Sequence, residues 1–308
     1  MNIETSDFLA SFGPTGNLVR LFFKPRKCDI FHWCGDETEL LTHPQYYGMP
    51  LLFPPNRTEN GCFRFNNRVY QMPVNDPVNN FNVHGILLKH RPAKVYHEGN
   101  LLKVMLCWTP DDSGFAGFPH EFNLSMEYLF GPASVNIAAI ITNLSKADMP
   151  YGIGFHTAFA APHDEDVRIR VPNDGKYWRV HPARRLPDGT MAEISPEVKA
   201  VLDGMTEIRS CALGSLFSAP PQGECFEILR KEVCIRFSTD PKFRFFAVWN
   251  AGGKRELICL EPMSWLTNAP NLPLPHQQSG VRVLAPGDTV RFSMDLQISA
   301  GQRAAFCS

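Results

Sequence analysis

The amino-acid sequence predicts an all-β protein, a single large antiparallel sandwich of two sheets with few short helices. Apolar residues recur at every second position in most apolar segments, as in strands with one buried face. Helical periodicity is scarce, and 26 Pro and 22 Gly, mostly between the apolar segments, supply many turns. No repeat, low-complexity segment or linker divides the 308 residues, so we expect one domain over residues 1–308.

The strands can be placed from the period-two pattern. It is clearest in residues 118–130, where the even positions are apolar apart from His120, and in residues 290–298. Further strands are predicted at 134–144, 167–171, 226–237, 243–249 and 257–261. Residues 62–71 predict a β-hairpin that turns at Asn66-Asn67, because Asn tolerates positive φ. One short helix is predicted at 195–202, with Ser195 as its cap and Pro196 at its first position.

Composition and charge exclude several classes of protein. Lys plus Arg number 30 against 31 Asp plus Glu, and like charges do not cluster, so we expect no nucleic-acid or membrane partner. No apolar stretch approaches the roughly 20 residues of a membrane span. The N-terminus is too polar for a secretory signal, and nine scattered cysteines are typical of reduced thiols, so we expect a cytoplasmic location. Whether the protein is a monomer or a homodimer stays open.

A carboxylate at the end of a buried strand is the first candidate for chemistry. Residues 257–260 form a short apolar run that delivers Glu261 immediately before Pro262. Because Pro has no N–H, we expect the strand to end there. Apolar surroundings raise the pKa of a carboxyl, which suits a general base near neutral pH. The alternative is a strand-end Glu that is paired with an Arg or exposed to solvent.

Three further side chains could act with this carboxylate. Arg57, in a turn-rich loop, offers a planar fork of donors for hydroxyl or carboxylate oxygens, or is a surface charge. His84 precedes Gly85, which permits close backbone or ligand approach, or is a structural histidine. His156 follows Gly152 and Gly154 among apolar residues, and an imidazole facing a carboxylate makes an acid/base pair. We interpret His120 as a core or cleft-wall histidine.

No metal site is predicted. Cys28, His32 and Cys34 are close in sequence, but no second pair at ligand spacing accompanies them. We interpret them as packing residues.

Four motifs occur in the order found in aldose 1-epimerases. They are Pro55-Asn56-Arg57, His84-Gly85, residues 155–159 around His156, and residues 259–263 around Glu261 with 268–271. From about residue 15 to 298 the sequence resembles this family, whose galactose mutarotase-like fold is a β-supersandwich. The fold that the resemblance implies agrees with the strand pattern.

The resemblance also implies roles for the residues. Glu261 would remove the proton of the anomeric hydroxyl, and His156 would protonate the ring oxygen, the two groups lying on opposite sides of the sugar. Ring opening, rotation about C1–C2 and reclosure would give the other anomer, with no cofactor and no metal. His84 and Arg57 would bind ring and hydroxyl oxygens, and Trp249 would form an apolar wall for the sugar or belong to the core. The partner is then a small-molecule sugar.

Two departures from the family concern the substrate. Gly214 and Ser215 stand where family members usually carry an acidic pair, one member of which binds sugar hydroxyls. Residues 157–162 are less polar than the usual Pro-Tyr-Phe form.

These departures leave three alternatives. A hexose-6-phosphate mutarotase would need a basic cluster, for which Arg57, Lys89, Arg91 and Arg184-Arg185 are available. A non-catalytic sugar-binding or regulatory protein would bind without anomer exchange. A glycoside-cleaving enzyme would need a second acid, for which residues 164–166 are the candidate, although we expect that loop to be solvated.

Overall fold

The computed structural model describes residues 1–301, and its secondary structure is dominated by short antiparallel strands. The first half contains β1 Asn2–Glu4, β2 Phe8–Phe12, β3 Leu18–Phe23, β4 Cys28–Asp29, β5 Leu51–Leu52, β6 Arg57–Glu59, β7 Cys62–Phe65, β8 Arg68–Gln71, β9 Phe81–Val83, β10 Lys94–Glu98, β11 Leu101–Trp108, β12 Phe122–Gly131 and β13 Ser134–Asn143. The second half contains β14 Met149–Tyr151, β15 Gly154–Phe155, β16 Thr157–Ala160, β17 Arg168–Arg170, β18 Lys176–Val180, β19 Pro187–Glu193, β20 Gly214–Ser218, β21 Cys225–Leu229, β22 Val233–Thr239, β23 Phe245–Trp249, β24 Leu257–Met263, β25 Arg282–Leu284 and β26 Thr289–Ala300. The helices are α1 Glu37–Thr42, α2 Pro196–Leu202 and α3 His276–Ser279.

Two large sheets dominate the architecture. Sheet I has the strand order β10-β11-β12-β13-β26-β22-β21-β17. Sheet II has the order β19-β18-β20-β23-β24-β15-β5, and β16 pairs with β24 beside that path. All neighbouring strands in both sheets are antiparallel. The predicted all-β class and large antiparallel sandwich are therefore confirmed.

Aromatic side chains join the two sheets. Phe159 of sheet II lies 5.5 Å, centroid to centroid, from Phe237 of sheet I, and Phe246 lies 5.3 Å from Phe226. These residues belong to one continuous apolar core, since each is completely buried. Large aromatic side chains contribute much of the burial free energy of such a core. One face of sheet II is thus packed against sheet I, and a ligand could bind only on its opposite face.

Most of the predicted strands are found, with differences at their ends. The hairpin at 62–71 is present as β7 and β8, with Asn66 and Asn67 at φ 44° and 59°. The strand predicted from residue 118 begins only at Phe122, since Pro119 interrupts the preceding segment, although Phe118 and His120 are buried. The segment 226–237 forms the two strands β21 and β22 rather than one.

The strand that carries Glu261 does not end where the sequence predicted. Strand β24 continues through Pro262 to Met263, and Pro262 pairs with Phe246 of β23. The expectation that Pro262 stops the ladder is wrong because β24 has neighbours on both sides, so that the loss of one donor does not end the pairing.

Helix α2 begins after Ser195, whose side chain accepts a hydrogen bond from the Val198 N–H, as predicted. Within residues 1–301, none of the helices has the length and apolar content needed to cross a membrane. The assignment of residues 1–308 to a single domain stays a prediction.

Candidate active site

The candidate site lies on the face of sheet II that points away from sheet I. Successive side chains of a strand alternate between faces, and Ile258 and Leu260 of β24 belong to the core between the sheets. Cys259 and Glu261 therefore face the other way. The partners of these two residues on β23 are Trp249 and Ala247. A carboxylate, an indole and a small residue are thus presented together on one face.

His156 lies directly beside Glu261. Gly154 pairs with Met263 and Thr157 with Leu260, a register that sets His156 opposite Glu261. The strand is interrupted here, since β15 ends at Phe155 and β16 begins at Thr157. The His156 N–H donates instead to the Pro50 carbonyl. His156 Nε2 is 3.3 Å from Glu261 Oε1, and the two residues are only 6% and 4% exposed.

This side-by-side arrangement differs from the expected one, in which the two groups lie on opposite sides of a sugar. The register of β24 against β15 and β16 leaves no room for a ring between them. The anomeric hydroxyl and the ring oxygen are bonded to the same carbon, so adjacent groups are well placed to reach both.

Arg57 and His84 are brought to the site by a small two-stranded sheet. Strand β6 carries Arg57 and pairs with β9, which ends one residue before His84. The His84 N–H donates to the Asn56 carbonyl at 2.6 Å, and His84 has φ 66°. A Cβ on Gly85 would overlap the carbonyl oxygen of Phe53, so only glycine fits there. The ring of His84 stands edge-on to that of His156 at 5.1 Å.

An aromatic wall closes another side. The Trp249 ring lies 5.9 Å from that of His156 and stacks on the Tyr46 ring at 5.7 Å. Trp249 is thus a wall of the site rather than a core residue. Sequence reasoning missed Tyr46, which ends a 3₁₀ helix at Pro44–Tyr46 and belongs to none of the motifs. Nothing local identifies it, because its role depends on a contact with a distant strand.

These residues enclose a polar cavity of about 220 Å³. It lies below the roughly 300–1,000 Å³ of pockets for drug-sized molecules, a size that favours a small ligand. The lining residues are Gln45, Tyr46, Asn56, Arg57, His84, His156, Gly214, Ala247, Val248, Trp249 and Glu261. Asn56 was not singled out from the sequence, although its motif was. Gly214, one of the departures from the family, lies in the wall itself.

Burial and charge oppose one another at Glu261. Burial raises the pKa of Glu261, while the positive charges of His156 and Arg57 lower it. Burial lowers the pKa of His84 well below its ordinary value, and the nearby His156 and Arg57 lower it further. His84 is therefore neutral at physiological pH and can offer a hydrogen bond without a charge. The net effect is a raised pKa of the Glu261 carboxyl, which favours a role as proton acceptor.

One set of side chains around Glu261 resembles a metal-binding set. His156, Cys259 and Glu261 each place a possible ligand atom within 4.8 Å of the others. Zinc accepts such a mixture of sulfur, nitrogen and oxygen ligands but requires the thiolate. Burial, and to a lesser degree the charge of Glu261, raises the pKa of the Cys259 thiol well above its ordinary value. Metal binding at this set would have to displace the proton of that thiol.

Other predicted positions lie elsewhere. His120 is a core residue, as expected, bound to the Tyr70 hydroxyl at 2.8 Å and the Ser145 hydroxyl at 3.1 Å. The loop at 164–166 is not wholly solvated, because Glu165 pairs at 2.8 Å with the buried Arg230. Neither Lys89 nor Arg91 lines the cavity. Glu261 is the one carboxylate among its lining residues within the part of the chain that the structure describes.

The large antiparallel sandwich is a galactose mutarotase-like fold, as comparison with solved structures shows. A galactose mutarotase-like protein from Clostridium acetobutylicum is 26% identical, with a TM-score of 0.88 over 97% of this chain and 94% of that one. Galactose 1-epimerase from Lactobacillus acidophilus shares the fold at 14% identity, with a TM-score of 0.73 over 98% of this chain and 94% of that one.

The chain belongs to the aldose 1-epimerase family, whose sequence profile matches residues 17–297. The resemblance inferred from the four motifs is therefore confirmed. The uncharacterized Escherichia coli protein YihR is 28% identical over 116 residues, 36% of this chain. That match spans 35% of the length of YihR.

Proposed function

We propose that the protein is an aldose 1-epimerase that interconverts the α and β anomers of a sugar by acid/base ring opening. The observation that carries the proposal is the contact between His156 and Glu261 on the floor of a cavity of monosaccharide scale. A base and an acid within hydrogen-bond reach of neighbouring oxygens are sufficient for this reaction.

The steps follow from the positions of the two groups. Glu261 accepts the proton of the anomeric hydroxyl, and the C1–O5 bond breaks as C1 becomes an aldehyde. His156 donates its proton to O5, which becomes the C5 hydroxyl. After rotation about C1–C2 the same two groups act in reverse, and the ring closes on the other face. Each group ends in its starting protonation state, so the cycle consumes nothing.

His84 and Arg57 have supporting roles in this proposal. Both line the cavity beside the pair, and Arg57 has no hydrogen bond or ion pair through its guanidinium to any residue in 1–301. A free guanidinium and a neutral imidazole can hold ring and hydroxyl oxygens while charge moves between O1 and O5. Trp249 and Tyr46 would supply the apolar wall against which a sugar face packs.

The geometry disfavours glycoside cleavage. That reaction uses two carboxyl groups roughly 5–10 Å apart across the scissile bond. Glu261 is the one carboxylate lining the cavity within residues 1–301, and Glu165 is engaged by Arg230. A sugar-binding protein without activity would not need the imidazole in contact with the carboxylate.

The test is anomer exchange, followed by polarimetry of freshly dissolved α-glucose and α-galactose and by exchange NMR on sugars at equilibrium. The wild type should accelerate exchange, and Glu261→Gln should lose about 10²–10⁴-fold of that acceleration. Glu224→Gln is the matched control, since Glu224 is equally buried but does not line the cavity. Full activity in Glu261→Gln would overturn the assignment of the base.

A further inference from the structure

Next to the cavity, one hairpin is fastened to the strand that carries Arg57. Arg57 and Glu59 lie two residues apart on β6 and therefore share a face. Both carboxylate oxygens of Glu59 accept from Arg184 Nη2 at 2.9 Å. Arg184 lies in the turn that joins β18 to β19, between His181 and Leu186. The ion pair thus holds this turn over the face of β6 from which Arg57 enters the cavity.

The next residue in the turn, Arg185, adds a second guanidinium near Arg57. Arg185 has φ 54°, a left-handed conformation that is uncommon for Arg, and its N–H donates to the His181 carbonyl at 2.8 Å. Burial lowers the pKa of Arg57, and the positive charge of Arg185 lowers it further. Arg184 is neutralised by Glu59, but Arg185 has no ion pair within residues 1–301.

Negative charge around this pair is scarce. Two carboxylates act on Arg57, those of Glu261 and Asp76. Glu261 is engaged with His156, and both oxygens of Asp76 accept from Asn79. Gly214 lines the cavity and brings no charge to it. A neutral sugar needs no such excess of positive charge, whereas like charges held together cost free energy unless an anion joins them.

The position of the excess charge corresponds to one part of a sugar. The His84 N–H donates to the carbonyl of Asn56, the residue before Arg57, and the His84 ring stands against that of His156. In the proposed reaction His156 serves the ring oxygen O5. The carbon next to O5 carries C6, so a charged substituent at C6 would project towards Arg57 and Arg185.

We propose that the natural substrate is an acidic sugar whose anionic group, at or near C6, is bound by Arg57 and Arg185. The inference rests on the proposed function and adds the substrate class to it. Guanidinium groups bind carboxylates and phosphates in a planar, bidentate fashion, so the shared chemistry is a sugar oxyanion. A uronic acid and a sugar phosphate are the two sources.

The experiment compares anomer exchange of glucose, glucuronic acid and glucose 6-phosphate by exchange NMR at low and high salt. The expected kcat/KM is about tenfold or more higher for at least one anionic sugar than for glucose, and the preference shrinks as salt rises. If glucuronic acid is preferred, the anionic group is a carboxylate; if glucose 6-phosphate is preferred, it is a phosphate. Equal rates for all three sugars would overturn the proposal.

Variants of Arg185 locate the effect. Arg185→Asn removes the charge but keeps a residue that tolerates positive φ, so the turn should survive. It should lower kcat/KM for the anionic sugar about tenfold, mainly through KM, and leave glucose unchanged. Arg185→Lys should retain part of the preference. Arg91→Ala is the matched control, because Arg91 neither lines the cavity nor acts on Arg57, and it should change the kcat/KM of neither substrate.

Binding separates this inference from the proposed reaction. In Glu261→Gln, which should not exchange anomers, calorimetry with the preferred anionic sugar should still show binding that is weakened by Arg185→Asn. If the wild type binds the anionic sugar but does not exchange its anomers, the proposed reaction is rejected and the acidic-sugar site is kept. Exchange of glucose with a preference for anions that survives Arg185→Asn would keep the reaction and reject the site.

Discussion

Glu261 and Glu224 are both buried carboxyl groups, 4% and 3% exposed, and burial raises the pKa of each. Their surroundings differ in every other respect. Glu261 contacts His156, lies in the field of Arg57 and faces a cavity. Neither carboxyl oxygen of Glu224 has a hydrogen-bond partner within residues 1–301, and its pKa is raised to about 8 by burial alone.

This difference shows what a buried acid needs before it can act as a base. Glu224 is protonated at neutral pH and has no access to a ligand, so its burial has consequences only for stability. Glu261 is buried to a similar degree, but two positive neighbours oppose the effect of burial on its pKa. A raised pKa alone would make both Glu224 and Glu261 candidates for a general base. Only Glu261 also has charged neighbours and faces a cavity.

The partner of Glu261 gives the largest expected effect. His156→Asn should lower the acceleration of anomer exchange by about 10²–10⁴-fold, because the ring oxygen loses its proton donor. In the double variant with Glu261→Gln, the loss should be much smaller than the product of the two single losses, since the pair acts as a unit. Polarimetry of the three proteins checks this. Strictly multiplicative losses would contradict the assignment of one acid/base pair.

A charge near Glu261 should move the pH profile. The base must be deprotonated, so the rate falls as pH falls through the pKa of Glu261, which burial raises above its ordinary value. Arg57 lowers that pKa, and Arg57→Gln should therefore shift the acidic limb of kcat/KM towards higher pH. Exchange NMR between pH 4 and 8 measures the limb. A shift towards lower pH would contradict the electrostatic account.

For Glu224 the expected effect is on the free energy of unfolding rather than on anomer exchange. The pKa of Glu224 is higher in the folded protein than in the unfolded chain. The stability that Glu224 contributes in its protonated form is therefore fully present below pH 4.5 and is lost as pH rises through about 8. Glu224→Gln should abolish that slope and, at pH 9, raise the free energy of unfolding by about 2 kcal/mol. Denaturant unfolding at pH 5 and pH 9 tests this, with Glu227→Gln, a partly exposed neighbour, as control. A gain that is the same at both pH values would mean that the charge of Glu224 is not responsible.

The smallest effect is expected at Cys259, two residues before Glu261 on the same face. The raised pKa of its thiol keeps it neutral, so Cys259→Ala should leave the acidic limb of the pH profile where it is. The lost packing should cost about 1 kcal/mol of unfolding free energy. Anomer exchange and denaturant unfolding of one variant measure both. A displaced limb would mean that the sulfur contributes to the charge balance of Glu261.

Much of the fold was predictable because each strand carries its own alternation. Residues 134–144 and 290–298 show which side chains face the core without any knowledge of their neighbours, and the structure contains them as β13 and β26. The ends of the strands were harder to predict, since they depend on the pairing with neighbouring strands. Strand β24 passes through Pro262 because strands flank it on both sides, a fact absent from its own residues.

The site was predictable only in part. Glu261, His156, His84 and Arg57 could be named because each stands in a short motif, and the structure gathers all four around one cavity. Tyr46 could not be found, because its position follows from stacking on a strand distant in sequence. Arg185 could be named as an available positive charge, but its position relative to Arg57 could not be predicted, because it depends on the pairing of Arg184 with Glu59. The roles of all six residues in binding or catalysis are proposals.

The turn between β18 and β19 carries a lesson for protein engineering. The Arg184–Glu59 ion pair joins this turn to β6, the strand that carries Arg57, and the turn takes no part in the pairing of β24 with β15, β16 and β23. The exposed residues 181–185 could therefore be exchanged as a cassette while the His156–Glu261 pair stays intact. Libraries confined to these five positions would be a direct way to change which sugars the protein accepts.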